Sequence, residues 1–574
     1  MAEVVSVDPL LDGWYPGWKP EHLDQNWLRG RPRPFTKEDE ETFWFVDFHY
    51  PRGFSPLGTI FMSDVGWATQ IAAHQLPLPP AGGLTQRYGG PFIYEGEVPI
   101  TSEWEVGFRA ARLERNLPRF LENFEPIWEE RKWEIELGLA YFENYDFSAA
   151  SLAQLGQYVE DARRFQQRAW EIHFEVMYPL LAIYLQLYGV CAQNGIDPAN
   201  IAKMLQGREH KINATDRAMW DLVDEARRLD VTDVFDRHEA PELRSALGRA
   251  GGNASVWLTR FDDFLHVYGH RTEGIGDINI PSWIEDDTSP LGQIKNFIET
   301  GERHDFDAGL RAAIEERDEV IETSRLQLDG DARARFDELL AVNEVANFAW
   351  WNEDHNFYID LRVSIPIRNG AIAIGERVGV DRVDEATFMF LPELHDVCAG
   401  RARYDDIRSM VLERAAYYDS YQPRRQEVPK VVGPTPDHVD DPVLIEIFGL
   451  HDGYFEGLRS DAHITELTGF PASAGVYRGR ARVMWSATEL FELEDGEVLV
   501  TEATSPNWTP AFAIIGACVC DGGGSLTHAA TVSREYGIPC VVGTSVGTLR
   551  INTGDLIEVD GTKGIVRILE RASV

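Results

Sequence analysis

The residues best suited to chemistry lie in one stretch near the end of the chain, "GGGSLTHAATVSREYGIPCVVG", which begins at Gly522. An apolar run precedes it and a short helical pattern follows, which predicts a strand, a glycine turn and a helix with His528 in its first turn. The backbone N–H groups and dipole of a helix start attract anions, and a neutral imidazole attacks phosphoryl groups. The pattern therefore favours a histidine that carries phosphate, and its alternative is a capped helix with an exposed histidine.

The anion cradle predicted around His528 consists of backbone N–H groups and small side chains. Glycine suits such a loop because a Cβ atom would obstruct the close approach of a ligand. The predicted phosphate-binding residues are Gly522, Gly523, Gly524, Thr527 and Arg534. Thr527 is also a candidate N-cap, and Gly537 occupies a position favoured for a helix end. Arg534 either neutralises phosphate charge or points to solvent.

The elements that position this loop fall into regions of different periodicity. Residues 100–420 carry apolar side chains at three- and four-residue spacing, which predicts helices, with further ones near 216–230, 241–268, 303–325, 331–362 and 366–379. Asp331 is predicted as an N-cap and Gly269 as a helix end. We predict a large, mostly α-helical domain over residues 1–421, a linker and lead-in over 422–466, and a small β/α domain over 467–574.

The C-terminal domain is predicted from short β-type runs separated by glycine turns. These runs are "GVYRGRARVMW", "GEVLVTE", "ACVCD", "IPCVVG", "DLIEVD" and "GIVRIL". Cys518 and Cys520 alternate within one of them, which is typical of one face of a strand.

The same region resembles, in order and spacing, the swivelling phosphohistidine domain of phosphoenolpyruvate-utilising enzymes. The resemblance covers about residues 467–570 and includes "FPASAGVYRGRARV", "EVLVTEATSPNWTPAF" and "TGDLIEVDGTKGIVRIL". It implies that His528 carries a phosphoryl group between two remote active sites.

A carrier needs a phosphoryl donor, and the sequence contains no P-loop, kinase or dinucleotide-binding signature. The ATP-grasp module usual in the family requires mixed α/β sequence where this chain is predicted to be helical. We therefore expect ATP and Mg²⁺ to bind an ATP-grasp partner subunit, and we predict no metal ligands in this chain.

The helical region is expected to bind the acceptor, because several of its stretches resemble the acceptor-binding domain of rifampin phosphotransferase-like proteins. They include "FWFVDFHYPRGFSPL", "FLHVYGHRTEGIGDINIPSWIED" and "NFAWWNEDHNFYIDLRVSIPIRNGAIAIGERV". The division of labour between subunits resembles that of phenylphosphate synthase and the related cresol-phosphorylating enzymes.

An acceptor hydroxyl needs a base and cations for the phosphoryl oxygens. We predict His270 as the base and Arg271 as the phosphoryl clamp, the alternative being a helix-capping histidine and a surface ion pair. The remaining predicted substrate-binding residues lie on two other stretches: His49, Arg52, Trp351, Glu353, His355 and Arg362. For the last four, a core of aromatic side chains with polar edges is an equally good interpretation.

Composition excludes some classes of partner. Ninety-four acidic residues against fifty-four basic ones give a net charge of −40, which repels nucleic acid and anionic membranes. The first residues lack a signal-peptide pattern, no run reaches the roughly 20 apolar residues that span a bilayer, and the five cysteines form no C-x-x-C pair, so we expect a cytoplasmic protein.

The sequence thus predicts the carrier and acceptor-binding subunit of an ATP-dependent phosphotransferase. His528 would pass the phosphoryl group to a small aromatic hydroxyl such as phenol or 4-cresol, and the resemblance implies release of AMP and phosphate. The alternatives are a phosphoenolpyruvate synthase-like or antibiotic phosphotransferase subunit, with pyruvate or an antibiotic as acceptor, and a non-enzymatic phosphohistidine relay.

Overall fold

The computed structural model describes residues 4–5, 13–24, 27, 29–76, 81–272, 274–300, 303, 305–460 and 464–572. The chain divides into two compact units, each built from separate segments. The first unit comprises Met1–Ile183, Ile275–Ile280 and Tyr358–Thr435, and the second comprises Tyr184–Gly274, Pro281–Phe357 and Pro436–Val574. The candidate carrier loop belongs to the second unit.

The first unit combines a mixed sheet with helices. Its strands are β1 (Val4–Val5), β2 (Arg33–Pro34), β3 (Trp44–Val46), β4 (Ala81–Gly89), β5 (Phe92–Pro99) and β6 (Val431–Pro434), in the order β1-β6-β3-β5-β4-β2. Its helices are α1 (Thr59–Gln75), α2 (Glu103–Leu121), α3 (Phe124–Glu143), the first part of α4 (Leu152–Gln193), α14 (Ile365–Val378), α15 (Leu391–Cys398) and α16 (Tyr404–Tyr421).

Helix α4 is the one described helix that is long and apolar enough to cross a membrane. Its most apolar segment of 18 residues is 56% buried within the protein. The core helix of a soluble protein meets the same criteria of length and composition. The helix is therefore weak evidence for a membrane span. The predicted cytoplasmic location stays a prediction.

The second unit contains a helical part and the C-terminal sheet. After α4 the helices are α5 (Pro198–Met204), α6 (Lys211–Arg228), α7 (Thr232–Asp236), α8 (Ala240–Ala250), α9 (Asn253–Tyr268), α10 (Thr288–Thr300), α11 (Phe306–Gln327), α12 (Gly330–Val345) and α13 (Phe348–Tyr358). The later ones are α17 (Pro442–Glu446), α18 (Asp452–Leu458), α19 (His528–Tyr536) and α20 (Gly547–Arg550).

The strands of the second unit form a mixed sheet around a parallel centre. They are β7 (Glu466–Thr468), β8 (Phe470–Ser473), β9 (Val476–Val483), β10 (Val498–Thr501), β11 (Ala517–Cys520), β12 (Cys540–Val542), β13 (Leu556–Asp560) and β14 (Ile565–Glu570), in the order β7-β14-β13-β9-β10-β11-β12-β8. Strands β9 to β12 are parallel. Helix α19 follows the carboxyl end of β11, where α/β proteins commonly bind ligands.

One apolar core joins the helical part of the second unit to its sheet. Trp220 and Trp257 from the helices share this core with Phe512, Cys518 and Ala530. Because burial of apolar surface is the main source of stability, these parts of the unit stabilise each other. The structure thus holds the loop that carries His528 against helical residues.

The predicted fold class is confirmed, with a large, mostly helical region and a C-terminal β/α sheet domain. All six quoted β-type runs contain a strand, and Gly269 follows the last residue of α9. The prediction of one helix over 241–268 is wrong, because Gly251 and Gly252 adopt φ values of +65° and +54° that end α8. The predicted N-cap is also wrong, since Asp329 rather than Asp331 precedes α12.

Two further differences concern the predicted N-terminal domain and linker. The sheet of the first unit was not predicted, and its strands include Ala81–Gly89 and Phe92–Pro99. Segment 422–466 contains a 3-10 helix, β6, α17 and α18 rather than continuous coil. The predicted domain boundaries and the mobility of the linker stay predictions.

Candidate active site

His528 is the first residue of helix α19. Thr527 occupies the N-cap position with an extended backbone, and Gly537 ends the helix in the left-handed conformation, as the sequence predicted. The histidine is 7% exposed and therefore buried. Its helix begins directly after the glycine loop, so the imidazole lies at the positive end of the helix dipole.

Threonine hydroxyls contact both ring nitrogens of His528. Thr504 Oγ1 lies 2.9 Å from Nδ1 and Thr509 Oγ1 lies 3.0 Å from Nε2. A hydroxyl can donate or accept, so one threonine accepts from the ring N–H while the other donates to the second nitrogen. The two hydroxyls fix the plane of a neutral imidazole.

Burial is the main cause of a low pKa at His528, and the nearby charges of His210 and Arg271 act in the same direction. Together they lower this pKa to about 3. Desolvation disfavours the charged form of a histidine, and neighbouring cations add to that effect. The imidazole is therefore neutral at pH 7, which is the form that can act as a nucleophile.

The glycine loop packs closely against the segment around α17. Gly522 N donates to Glu502 O and Gly523 N to Phe448 O, so these two groups already serve the protein backbone. Gly523 has a φ of +90°, and a Cβ atom on Gly524 would lie 2.3 Å from Ile445 O. Gly523 and Gly524 are thus required by backbone conformation and close packing, and the predicted role of all three glycines in binding phosphate stays a prediction.

Thr527 and Arg534 also bond within the protein. Thr527 Oγ1 donates to Gly524 O at 2.8 Å. Arg534 donates to Ala472 O and Ser525 O at 3.1 and 3.0 Å, so its guanidinium ties α19 to neighbouring backbone rather than pointing to solvent. Phosphate binding by either residue stays a prediction.

Arg271 connects the helical part of the second unit to the 3-10 helix Pro506–Ala513, which follows β10. Its guanidinium is 2% exposed and donates through Nε and Nη2 to Asn507 Oδ1 at 3.0 and 2.6 Å. It also lies over the ring of Trp283 at 4.4 Å. This buried cation contributes to the lowered pKa of His528, and its predicted role as a phosphoryl clamp stays a prediction. Its alternative, a surface ion pair, does not describe this buried side chain.

His270 directly precedes Arg271 and follows Gly269, the residue that caps α9. Its side chain is half-buried. Because the next residue is held by Asn507, the backbone position of His270 is fixed relative to the loop carrying Thr509. Its predicted role as a base stays a prediction.

The predicted residues on α13 are buried. The ring of His355 stacks on Trp351 at 4.3 Å, and its Nδ1–H donates to Trp351 O at 2.9 Å. Glu353 is 1% exposed, and neither of its carboxylate oxygens has a hydrogen-bond partner among the described residues. Burial raises the pKa of Glu353 to about 7, an effect that the charge of His210 opposes.

The other predicted substrate-binding residues belong to the first unit. His49 Nδ1 lies 2.7 Å from Asp47 Oδ1, and Arg52 Nε lies 3.5 Å from Asp277 Oδ2. Arg362 forms an ion pair with Glu143. Since Trp351, Glu353 and His355 belong to the second unit, the predicted acceptor residues are divided between the two units.

Several residues around His528 were not predicted. His210 Nε2 lies 3.2 Å from Glu535 Oε1, and Tyr536 donates to Asp216 Oδ2 at 3.0 Å. Thr504 and Thr509, whose hydroxyl groups contact the His528 ring, were not predicted either. The threonines lie in the stretch "TEATSPNWTPAF", whose hydroxyl-rich composition was the available signal. Nothing local marks His210.

Two family profiles match the chain. Residues 173–353 match the rifampicin phosphotransferase fourth domain, and residues 493–564 match the mobile domain of PEP-utilising enzymes. The second match contains His528 and the first contains His210, His270, Arg271 and Glu353. The two matches therefore include His528 and the two residues, His210 and Arg271, whose charges lower its pKa.

Three curated relatives extend the likeness. Chondramide synthase cmdD of Chondromyces crocatus is 31% identical over 83% of this chain and 12% of its own length. The uncharacterized phosphotransferase YvkC of Bacillus subtilis is 28% identical over 71% of this chain and 48% of its own. Rifampicin phosphotransferase of Streptomyces sviceus is 31% identical over 59% of this chain and 39% of its own.

The chain thus spans less than half the length of these relatives. The chain contains a PEP-utiliser mobile domain beside a rifampicin phosphotransferase fourth domain, and it is related to the rifampicin phosphotransferases and to YvkC.

Proposed function

We propose that this chain is the carrier part of a phosphotransferase of the rifampicin phosphotransferase and PEP-utiliser type, with His528 as the residue that bears the phosphoryl group. The observation that carries the proposal is a buried, neutral imidazole held at both nitrogens by threonine hydroxyls. A structural histidine needs neither two aligned hydroxyls nor two neighbouring cations.

In the first half-reaction a lone pair of the His528 ring forms a bond to phosphorus, while the bond between phosphorus and the donor's leaving oxygen breaks. The attacking nitrogen gives up its threonine, and the other nitrogen keeps its own. Neutrality of the ring before attack supplies the lone pair without a separate base. The cation of Arg271 attracts the negative charge that arrives with the phosphoryl group.

In the second half-reaction the bond between nitrogen and phosphorus breaks as an acceptor hydroxyl oxygen bonds to phosphorus. The hydroxyl loses its proton to a base, for which His270 is the candidate predicted from the sequence. Arg271 stabilises the phosphoryl oxygens during this transfer because a buried guanidinium exerts its charge in a low-dielectric site. The ring of His528 returns to its neutral form.

The relatives support an antibiotic or related hydroxylated molecule as acceptor better than phenol or 4-cresol. Their printed activity, rifampicin phosphotransferase, concerns a much longer protein, so it guides the choice of acceptors to test. ATP with Mg²⁺ remains the proposed phosphoryl donor, bound by an ATP-grasp polypeptide. Release of AMP and phosphate belongs to the same proposal, and this chain's residues act only on the carried group.

A phenol-type acceptor remains the second candidate because aromatic rings surround His49 in the first unit. Phe48 lies 4.3 Å from His49, and Tyr50 packs against Phe54 and Phe61 at 5.0 and 5.5 Å between ring centroids. Such a cluster suits a flat apolar acceptor. Pyruvate, the acceptor of the other alternative, would make little use of these rings.

The test of the carrier role uses the full chain and phosphoramidate, a chemical donor that phosphorylates histidine without an enzyme. We expect one acid-labile, alkali-stable phosphoryl group per chain, found on His528 by mass spectrometry of the intact protein and its peptides. The variant His528→Ala should take none. The variant His238→Ala, at a histidine paired with Glu242 in the same unit, should label like wild type.

The test of transfer offers the labelled chain rifampicin, pyruvate, phenol and 4-cresol, and follows new phosphate esters by phosphorus NMR. Loss of the label that depends on one acceptor identifies the acceptor class. Labelling that persists in His528→Ala refutes the carrier role. A label that leaves wild type at the same rate with every acceptor and with none refutes the transferase role.

A further inference from the structure

A second histidine, His210, lies against the helix that carries His528. It immediately precedes α6 as the N-cap residue, and it is 6% exposed. Its Nε2 lies 3.2 Å from Oε1 of Glu535, which is on α19. Positions 528 and 535 are two helical turns apart and share a face of α19, so His210 packs against the face that presents the carrier.

The other ring nitrogen of His210 has no hydrogen-bond partner among the described residues. Its Nδ1 is buried and bonds to none of the residues that the structure describes. An imidazolium ring has an N–H at both nitrogens, and Glu535 accepts from one of them. A buried donor without an acceptor is unfavourable, so a ligand oxygen at this nitrogen would complete the site.

Carboxyl groups keep this imidazole charged. Burial opposes the charge, but the pKa of His210 is raised to about 9, with Glu535 the strongest of the groups that favour protonation. The acidic groups that act on His210 come from α19, α13 and α6: Glu535, Glu353, Asp354 and Asp216. At pH 7 the ring is therefore a cation, and the structure places two cations, His210 and Arg271, near enough to affect the His528 ring.

We propose that His210 receives the phosphoryl group on His528 by donating its Nδ1–H to a phosphoryl oxygen, and that Glu535 holds the imidazole in place for this contact. The inference rests on the proposed carrier role of His528. It assigns His210 a function as a phosphoryl-binding residue and Glu535 a function as a positioning residue. His210 keeps its proton throughout, and the bonds that form and break are those of the carrier step alone.

The arrangement explains why cations surround a histidine that must be neutral before it reacts. The same two charges that disfavour a proton on His528 attract a phosphoryl dianion once it is bound there. The helical part of the second unit therefore binds the phosphorylated carrier more tightly than the free one. Because Glu535 belongs to α19, the helix that bears the phosphoryl group also holds one of the residues that stabilise it.

The experiment labels the full chain with phosphoramidate and measures the pKa of the bound phosphoryl group by phosphorus NMR. A cation at hydrogen-bond distance lowers that pKa by about one unit or more. We expect the pKa to rise by about one unit in His210→Gln and by less in Glu535→Gln, where the imidazole remains but loses the carboxylate charge that favours its protonated form. His210→Lys should restore most of the wild-type value.

His238→Gln is the matched control, because His238 also pairs with a glutamate of the same unit, with Nδ1 3.5 Å from Glu242 Oε2, but on the surface. It should leave the phosphoryl pKa unchanged. Thermal unfolding of each variant measures folding separately, and Glu535→Gln keeps the test open if His210→Gln does not fold.

A phosphoryl pKa that is the same in wild type, His210→Gln and Glu535→Gln overturns the inference. If His210 only stabilises the packing of α19 against α6, its variants lower the unfolding temperature and leave the pKa of the phosphoryl group unchanged. The proposed transferase function fails in a different way, with a label that no acceptor removes from wild type. Failure of phosphoramidate to label His528 in wild type overturns the inference together with the carrier role.

Discussion

Two histidines, the buried His528 in the second unit and the half-buried His49 in the first, have pKa values shifted in opposite directions. His528 contacts hydroxyl groups and lies near cations, and its pKa is lowered to about 3, chiefly by burial. Burial also opposes the charge of His49, but Asp47 at 2.7 Å raises the pKa of that ring above its ordinary value. The partner of the imidazole, more than burial itself, decides which form the protein keeps.

The opposite pKa shifts of His528 and His49 suit the two rings to different chemical roles. A neutral ring with a free lone pair can attack phosphorus, whereas a ring that holds its proton beside a carboxylate serves as a cation or proton donor. His528 is therefore suited to covalent catalysis and His49 to binding an anionic group. Predictions that exchange or remove these partners test the comparison directly.

The largest effect on labelling is expected from removing His528, and removing His49 is the comparison. His528→Ala should abolish phosphoryl labelling completely, because no other described histidine is proposed to attack phosphorus. His49→Ala should leave the labelling by phosphoramidate at the wild-type level, since its ring is paired with Asp47. Peptide mapping of the label checks both results, and a label that moves to His49 would refute the division of roles.

Replacing the buried guanidinium near His528 by an ammonium group should give the next largest effect. In Arg271→Lys the planar pair of hydrogen bonds to Asn507 is lost, and an ammonium group cannot replace it. We expect transfer from the carrier to its acceptor to slow by about 100-fold, the typical cost of one lost donor to a phosphoryl or oxyanion group.

The control for that substitution is Arg237→Lys, at an exposed arginine paired with Asp233 in the same unit. It should transfer at the wild-type rate. Single-turnover loss of the label measures transfer, and thermal unfolding separates it from stability. An Arg271→Lys protein that folds and transfers normally would remove Arg271 from the mechanism.

The lowered pKa of His528 predicts how labelling depends on pH. An ordinary histidine with a pKa near 6.5 loses about 25-fold of its neutral form between pH 7 and pH 5. Because the pKa of His528 is about 3, its neutral fraction stays nearly constant over that range. We expect the initial rate of labelling by phosphoramidate, corrected for protonation of the reagent with free imidazole, to change less than twofold. A fall of the ordinary size would show that the carrier is solvated when it reacts.

The threonines should have smaller, unequal effects. Thr504→Val and Thr509→Val each remove one hydroxyl from the ring while keeping its shape, and a hydrogen bond of about 1 kcal/mol corresponds to a rate change of roughly fivefold. The nitrogen that attacks phosphorus must release its threonine, so the variant at the other nitrogen should slow labelling more. Equal rates in both variants and in wild type would mean that neither hydroxyl orients the ring.

The parts of the molecule that could be predicted depend on local signals. The C-terminal strands and α19 follow from short apolar runs, glycine turns and a threonine before the helix. His528 could be identified because its loop and helix are continuous in sequence. The strands of the first unit gave weaker signals, and β6 joins that sheet from residues 431–434.

The residues around the carrier could not be predicted because they meet only after folding. His210 and Glu535 are 325 positions apart, and Arg271 and Asn507 are 236 positions apart. No periodicity links such pairs. Arg271 was predicted from the residues beside it in the sequence. For the glycine loop, the sequence predicted the close approach of a ligand, whereas at Gly524 the structure shows the close approach of the protein's own backbone.

The smallest effect concerns the charge of His49. Its pKa is raised, so the charged ring stabilises the fold at low pH, fully below about pH 6.5, and this contribution is lost as the pH rises through the raised pKa. Asp47→Asn should therefore destabilise the protein most near pH 6, by about 1 kcal/mol or less for a partly exposed pair, and least near pH 9.

The carboxyl group of Glu95 makes the effect of Asp47→Asn on stability depend on pH in the same direction. Burial and the charge of Asp47 raise the pKa of this buried carboxyl, so removing Asp47 relieves a repulsion that grows as the pH rises. Urea unfolding of wild type and Asp47→Asn at pH 6 and pH 9 measures the difference. If wild type and Asp47→Asn differ in free energy of unfolding by the same amount at pH 6 and pH 9, the charge of His49 does not contribute to stability. The contrast with His528 would then depend on hydrogen bonding rather than on charge.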